Sequence, residues 1–397
     1  MRRPPARALT RAVAILCAAL FVAAIVAPVA SQLLRVTPKV ALQEDPPRPL
    51  PDPAASLNDL FQFFKILRRD WLGQTFGLRP LLVRWGNILD VLWLHSSTPW
   101  GPVLAGKDGW LYLARERPYL NVMDDYRVTA KLTPQEVETW VAVFTARRDW
   151  LAKRGIPYMV VVVPNKANVY PEFIPGRFNR IHRHTKLDQM LAALTDAGVD
   201  AVDLRPAVLE AKNHGPGYYR TDSHWTPLGA FFGYARVVDR LKKYFPAMQP
   251  APLENFTLTA KPGLQSGLPR MLALDGFYHE DEMFLTPKIP FRAKEVAGEN
   301  VLLNQYQPLA VFEVSDPALP RAVIFRDSFA QGMADFLKEH FSRTCLVWPY
   351  PTDAGRVREF DTETILKEKP DIVIDQFVER YFTLPPPPSA LTTLPTS

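Results

Sequence analysis

YMVVVVP, residues 158–164, is a run of six apolar and aromatic side chains closed by a proline. A strand with one face in water would alternate polar and apolar residues. This one does not, so it belongs inside a sheet covered on both faces. Upstream, Thr133, Pro134 and Glu136 mark a helix start, and the pattern predicts a helix from there to about Arg154, stopped by Gly155. Downstream the alternation continues: helix Thr185 to Ala197, strand Val199 to Leu204, helix Pro227 to Phe245, strand Ala322 to Phe325, helix Phe329 to Phe341. Strand Cys345 to Trp348, helix Thr362 to Lys369 and strand Ile372 to Ile374 complete it. Such a pattern specifies an α/β fold in three layers around a mainly parallel sheet. From about 247 to 320, prolines and short segments such as NFTLTA and LAVFEV break the alternation, and the region reads as a β-rich insertion.

The N-terminus has a different character. Arg2, Arg3, Arg7 and Arg11 precede AVAILCAALFVAAIVAPVA, residues 12–30, an uncharged run of 19 residues. As a helix it spans about 28 Å, close to the thickness of a bilayer core. Basic residues before it favour a cytoplasmic tail at 1–11 and an extracytoplasmic remainder, with the transmembrane anchor at 12–34. Small residues at Val29, Ala30 and Ser31 also permit cleavage; the length of the run favours an anchor. A proline-rich spacer at 35–56 follows, then helical periodicity from Leu57 to Leu94, broken at Gly77 and Pro80, that fits two packing helices. The tail at 383–397, with Pro385 to Pro388, is expected to be disordered.

The two cysteines, Cys17 and Cys345, are too few and too far apart for a disulfide framework or a zinc site, so no metal is expected. A net charge of +6 on 397 residues is as consistent with solubility as with an anionic partner, and no nucleic-acid partner is expected.

Reactive groups in open parallel sheets gather at the carboxyl ends of strands. In AVIFRDSFAQGMADFL, Ser328 follows a buried strand at the start of a helix, where backbone N–H groups can stabilise an oxyanion. Taken alone, that segment is read equally by an N-cap serine. In YYRTDSHWTPLGAFF, Asp222 and His224 are two residues apart and point the same way if the chain is extended, so Asp222 can orient His224 as a base. A capping aspartate and a surface histidine are the structural readings of that pair. His182, His184 and His214 lack an adjacent carboxylate, and His279 with Glu280 and Asp281 reads as a solvated acidic turn. Asn165 and Lys166 follow the YMVVVVP strand directly; the amide can donate to an oxyanion and the ammonium can pair with an acidic sugar, or the asparagine only turns the chain. Tyr219 and Trp225 can stack on a sugar or serve the core. Arg380 reads as structural.

TDSHW before a helix, a later strand ending in DSF, GKDGWLYL at 106–113, VVVPNKANVYPEFIP and PDIVIDQFVERYF together resemble the SGNH-hydrolase-like acetyltransferases of alginate biosynthesis, the AlgX and AlgJ group. The resemblance runs from about residue 100 to 382 and places the enzyme domain at 57–382. It implies a flavodoxin-like core, a Ser328–His224–Asp222 triad and periplasmic transfer of acetyl groups to an exported polysaccharide. It also implies an acetyl donor, no resident cofactor, and an acetyl-exporting membrane acyltransferase as partner at the inner membrane. The chain leaves no room for the carbohydrate-binding module of AlgX, so the anchored AlgJ is the nearer likeness. One residue departs from the pattern: Arg326 stands where relatives carry glycine, which questions the strand-to-helix turn or sets a cation beside the substrate. An acetylesterase using the same triad, and a non-catalytic polysaccharide-binding protein, are the competing functions.

Overall fold

The computed structural model describes residues 6–34, 42, 56–67, 78–94, 101–116, 120–297, 301–302, 308–349, 358–387, 390 and 394. The expected spacer lies outside them except for residues 42 and 56, as does much of the expected tail. The chain divides into two units.

One unit holds the N-terminal helices and the segment 269–277. Helix α1 (Ala6–Leu33) contains Thr10–Pro28, long and apolar enough by length and composition to cross a membrane. Helix α2 (Leu57–Ile66) is capped by Ser56, whose side chain accepts from the Asp59 amide, and α3 (Arg79–Asn87) runs on into a π-helical turn, Ile88–Trp93. The Asn87 amide donates to the Leu272 carbonyl at 2.7 Å.

The other unit carries the sheet. It opens with a hairpin, β1 (Val103–Ala105) and β2 (Leu111–Leu113), formed by GKDGWLYL. Helix α4 (Pro134–Ala152) begins at a capping box in which Thr133 and Glu136 satisfy each other's backbone amides. Strand β3 (Tyr158–Val163), helix α5 (Lys186–Asp196), strand β4 (Asp200–Asp203), helix α6 (Arg205–Ala211) and helix α7 (Pro227–Leu241) follow. A second hairpin joins β5 (Phe256–Pro262) and β6 (Asp281–Pro287). Then come β7 (Pro308–Glu313), β8 (Arg321–Phe325), α8 (Ala330–Leu337), β9 (Arg343–Val347), α9 (Thr362–Glu368) and β10 (Ile372–Val378).

Strands β9, β8, β10, β3 and β4 lie side by side in that order and are all parallel. The last strand in sequence therefore inserts between the first and third, a departure from the simple flavodoxin order. LAVFEV does not stand apart as inserted structure: as β7 it pairs antiparallel with β9 and extends the main sheet, with Ala310 beside Leu346 on one face and Val311 beside Cys345 on the other. Within the insertion, β5 and β6 form a hairpin separate from the main sheet.

Strand β3 shows why its sequence has no polar face. Met159, Val161 and Val163 pack into one core with α7 and α8, while Tyr158, Val160 and Val162 pack into another with α4 and α5. All six are at most 3% exposed, worth about 1.5–3 kcal/mol per large side chain as an upper estimate.

Candidate active site

Strand β8 ends at Phe325, and the chain turns through Arg326, Asp327 and Ser328 into α8. The turn is built by Asp327, which is buried. Its Oδ1 accepts from the Phe329 amide at 2.9 Å and from Gln376 Nε2 at 2.9 Å, and its Oδ2 accepts from the Val378 amide at 2.7 Å. Helix α8 has no side-chain cap, so Ser328 is not the N-cap that its position allowed. Its hydroxyl instead lies 2.9 Å from His224 Nε2.

His224 stands in a short loop closed by an antiparallel bridge between Tyr218 and Trp225. Its Nδ1 lies 2.7 Å from Asp222 Oδ1, and its backbone amide donates to the same oxygen at 3.0 Å. The pair therefore meets through a local turn rather than through the extended chain that the spacing suggested. Asp222 Oδ2 accepts from the Gly267 amide at 2.8 Å. Burial pushes the Asp222 carboxyl up. The hydrogen bond and charge of His224, with the amides of Gly267 and His224, outweigh that and hold it well below the usual carboxylate range.

Helix α7 fixes where this loop begins and ends. Thr226 caps it by accepting from the Gly229 amide at 3.2 Å, and Pro227 occupies the first turn. A side chain at Gly229 would stand 2.1 Å from the Gly217 carbonyl oxygen, so only glycine lets the helix approach the loop this closely. Trp225 then ties the two halves of the site together: its indole N–H donates to the Phe329 carbonyl at 3.0 Å, and the His224 ring packs 4.8 Å from the Phe329 ring.

Ser328 and His224 open on a cleft of about 740 Å³, walled by β6 from Glu282 to Pro287 and by Gln331 and Asp335 of α8. A larger, more apolar cavity of about 890 Å³ shares Pro287, Phe291 and Phe336 with it but is lined by neither Ser328 nor His224. The Ser328–His224 contact therefore faces the smaller cleft.

Of the remaining candidates, Lys166 and Arg326 lie away from the cleft, while Tyr219, Trp225 and Arg380 follow their structural readings. Lys166 is buried, and its ammonium donates to the carbonyls of Tyr219, Arg220 and Asp222 at 3.0, 3.1 and 2.6 Å, so it meets the loop and not a sugar. Burial brings it down to about 7 against the pull of Asp222 and Glu280, and the three carbonyls favour its protonated form. Asn165 is also buried. Its Oδ1 accepts from Arg380 at 3.1 Å, and its Nδ2 has no partner among the described residues. Arg326 is buried with its guanidinium 5.8 Å from the centre of the Trp348 ring, and it does not line the cleft. Its φ is not positive, so the turn needs no glycine there. Tyr219 and Trp225 line the cleft but are spent on structure, Tyr219 by accepting from the Met283 amide at 3.1 Å. Arg380 is structural, paired with Glu116 at 2.5 Å.

Sequence reasoning missed Glu280. Its carboxylate accepts from the amides of Arg220 and Thr221 at 2.6 and 2.8 Å, where a solvated turn was expected. Nothing local marks it, since its partners lie 59 and 60 residues away.

Residues 103–303 match the model of a family described as SGNH hydrolase-like domain, acetyltransferase AlgX. That stretch includes Asn165, Lys166, Asp222 and His224 and ends before Ser328. A Pseudomonas aeruginosa protein named probable alginate O-acetylase AlgJ is 28% identical over 328 residues, 78% of each chain. Its namesake from Pseudomonas syringae is 35% identical over 156 residues, 39% of this chain and 37% of its own. Among solved structures, Bacillus cereus PatB1 with a sulfonyl adduct aligns with a TM-score of 0.51 and 16% identity, over 71% of this chain and 97% of that one. At that identity the likeness shows the fold.

Proposed function

The chain belongs to the SGNH hydrolase-like AlgX acetyltransferase family, and on that premise we propose that it moves acetyl groups onto hydroxyls of an exported polysaccharide through an acetyl-Ser328 intermediate. The observation that carries this reading is the continuous line from Ser328 Oγ to His224 Nε2 at 2.9 Å and from His224 Nδ1 to Asp222 Oδ1 at 2.7 Å, opening on a cleft.

Ser328 Oγ attacks the acetyl carbonyl of a donor while His224 Nε2 takes its proton. The tetrahedral intermediate collapses as His224 returns that proton to the leaving group. A sugar hydroxyl then attacks the acetyl-serine, losing its proton to His224, and Ser328 leaves with the proton restored. Asp222 holds the tautomer that aims Nε2 at Ser328 and stabilises the imidazolium at each proton transfer.

Glu282 and Asp335 are the carboxylates lining the cleft, and no lysine or arginine lines it among the described residues. With Lys166 turned inward, acceptor recognition runs through hydroxyls rather than through sugar carboxylates. Helix α1 anchors the domain to the inner membrane on its periplasmic side, within reach of a membrane acyltransferase that exports acetyl groups. No resident cofactor takes part.

Hydrolysis is the second reading. The His224 side chain is 39% exposed, so water can reach the acyl-enzyme. The test is incubation of the protein and of Ser328→Ala with a chromogenic acetyl ester, with and without oligosaccharide acceptors. Acetylated oligosaccharide formed by the wild type alone supports transfer. Ester turnover that no acceptor changes supports the esterase. A wild type that never forms an acyl-enzyme removes both.

A further inference from the structure

The loop from Tyr219 to Asp222 is neither helix nor strand, so its backbone polar groups must be met from outside. Two charged side chains from distant parts of the chain do this from complementary directions. Lys166, the first residue of the short helix that follows β3, supplies its ammonium to the carbonyls of Tyr219, Arg220 and Asp222. An ammonium has three protons and no acceptor, and all three are used here. Glu280, just before β6, accepts from the amides of Arg220 and Thr221 and from the Thr221 hydroxyl at 2.5 Å. Carbonyls thus meet the cation and amides meet the anion.

Lys166 is itself held. Its ammonium lies 5.6 Å from the Trp110 ring centre and 5.1 Å from that of Tyr112. Trp110 stacks on Phe173 at 4.5 Å with 9° between the planes, and the Leu111 amide donates to the Arg220 carbonyl at 2.9 Å. A side chain at Gly106 would come within 2.7 Å of the Phe173 carbonyl oxygen, which keeps glycine where the turn of this hairpin begins. GKDGWLYL and PNKANVYPEF, two motifs with no chemistry of their own in the mechanism, form one support beneath the loop.

We propose that Lys166 and Glu280 are positioning residues, a pair of opposite charges that clamps the backbone of residues 219–222 and so sets Asp222 and His224 in line with Ser328. The proposal rests on the catalytic reading above. Lys166→Met keeps the stem and removes all three donors. Glu280→Gln keeps the shape and turns an amide NH2 donor toward a backbone N–H.

The test uses the full chain in detergent, with three readouts: labelling of Ser328 by a serine-directed sulfonyl fluoride, followed by intact mass; hydrogen exchange in residues 218–225; and thermal unfolding. Both variants are expected to label at least tenfold more slowly and to exchange faster in this loop, while their melting curves stay cooperative. With the acetyl ester, kcat should fall more than KM changes, and Lys166→Arg should recover part of the rate. Folded variants that label at the wild-type rate overturn the proposal. So does fast exchange of the Arg220 and Thr221 amides in the wild type, a result that needs no variant to fold. A wild type that neither labels nor turns over ester defeats the catalytic reading, while the exchange data still decide the clamp.

Discussion

Ser328 and His224 stand on supports of opposite kinds. The turn carrying Ser328 is part of the sheet: Asp327 is fastened to Gln376 and Val378 of the neighbouring strand, and every partner is buried. The loop carrying His224 joins no strand of the sheet and is held by Lys166, Glu280 and the Leu111 amide, each brought from far along the chain. A support made of sheet neighbours fails only when the fold does. A support made of long-range charged contacts can fail while the fold persists. Damage on the two sides should therefore separate into stability on one and rate on the other.

The sharpest separation is expected at the two aspartates. Asp222→Asn should lower acyl-enzyme formation by about 10³- to 10⁴-fold, because an amide no longer selects the imidazole tautomer that points Nε2 at Ser328. Its unfolding free energy from denaturant titration should fall by less than about 1.5 kcal/mol, a range typical of a partly exposed hydrogen bond. Asp327→Ala should do the reverse in kind. It leaves the amides of Phe329 and Val378 and the Gln376 side chain without an acceptor in the interior, at a cost of roughly 3–5 kcal/mol. Equal losses of stability in the two variants would break the comparison.

A pH titration reaches the sheet side again. Burial lifts the Glu379 carboxyl, at the end of β10, to about 8; Asp125 adds to the rise, and the Asn165 amide, Arg205 and Asn168 pull against it. Between the ordinary glutamate range and 8 the folded protein holds a proton that the unfolded chain has shed. Stability from this group is thus present at low pH and lost as pH climbs through that window. Both hydrogen bonds that Glu379 accepts fall on Oε1, which a glutamine retains. Glu379→Gln should therefore flatten the fall in melting temperature between about pH 6 and 8 relative to wild type. The lower bound avoids Asp125, which burial raises to about 6. Parallel curves for the two proteins would mean that Glu379 is already ionised in the fold.

How far the sequence carried this picture depends on the range of the forces involved. Helix starts at Thr133, Thr185 and Thr226 were legible because caps are local, and YMVVVV betrayed its two covered faces because burial leaves a period. Asp222 and His224 were legible as a pair because two residues separate them, although the contact is a turn and not an extended strand. Strand order was not legible: nothing near Ile372 says that β10 slips between β8 and β3, and nothing in LAVFEV says that its partner is β9. Lys166 and Glu280 were misread for the same reason. A charged side chain reads as a surface group or a ligand until its partners, more than 50 residues off, are in place.

Arg326 offers the smallest expected effect and tests the sheet side at the residue that departs from the family pattern. Glycine in this place would be required if the turn into α8 ran through positive φ, but it does not. The side chain leaves over Trp348 instead of entering the cleft, and burial lowers its readiness to hold a proton while Asp327 opposes that. Arg326→Gly removes a stacked guanidinium, worth about 0.5–2 kcal/mol, and adds backbone freedom to the unfolded chain, worth about 0.5–1 kcal/mol. Relief of burying the cation works against both. The net should be a loss near 1 kcal/mol in denaturant titration, with the rate of Ser328 labelling unchanged within about twofold, because the side chain of residue 326 does not enter the cleft. A tenfold gain in labelling would show that Arg326 holds the turn away from its best geometry, and the serine side would then be the adjustable half of the site.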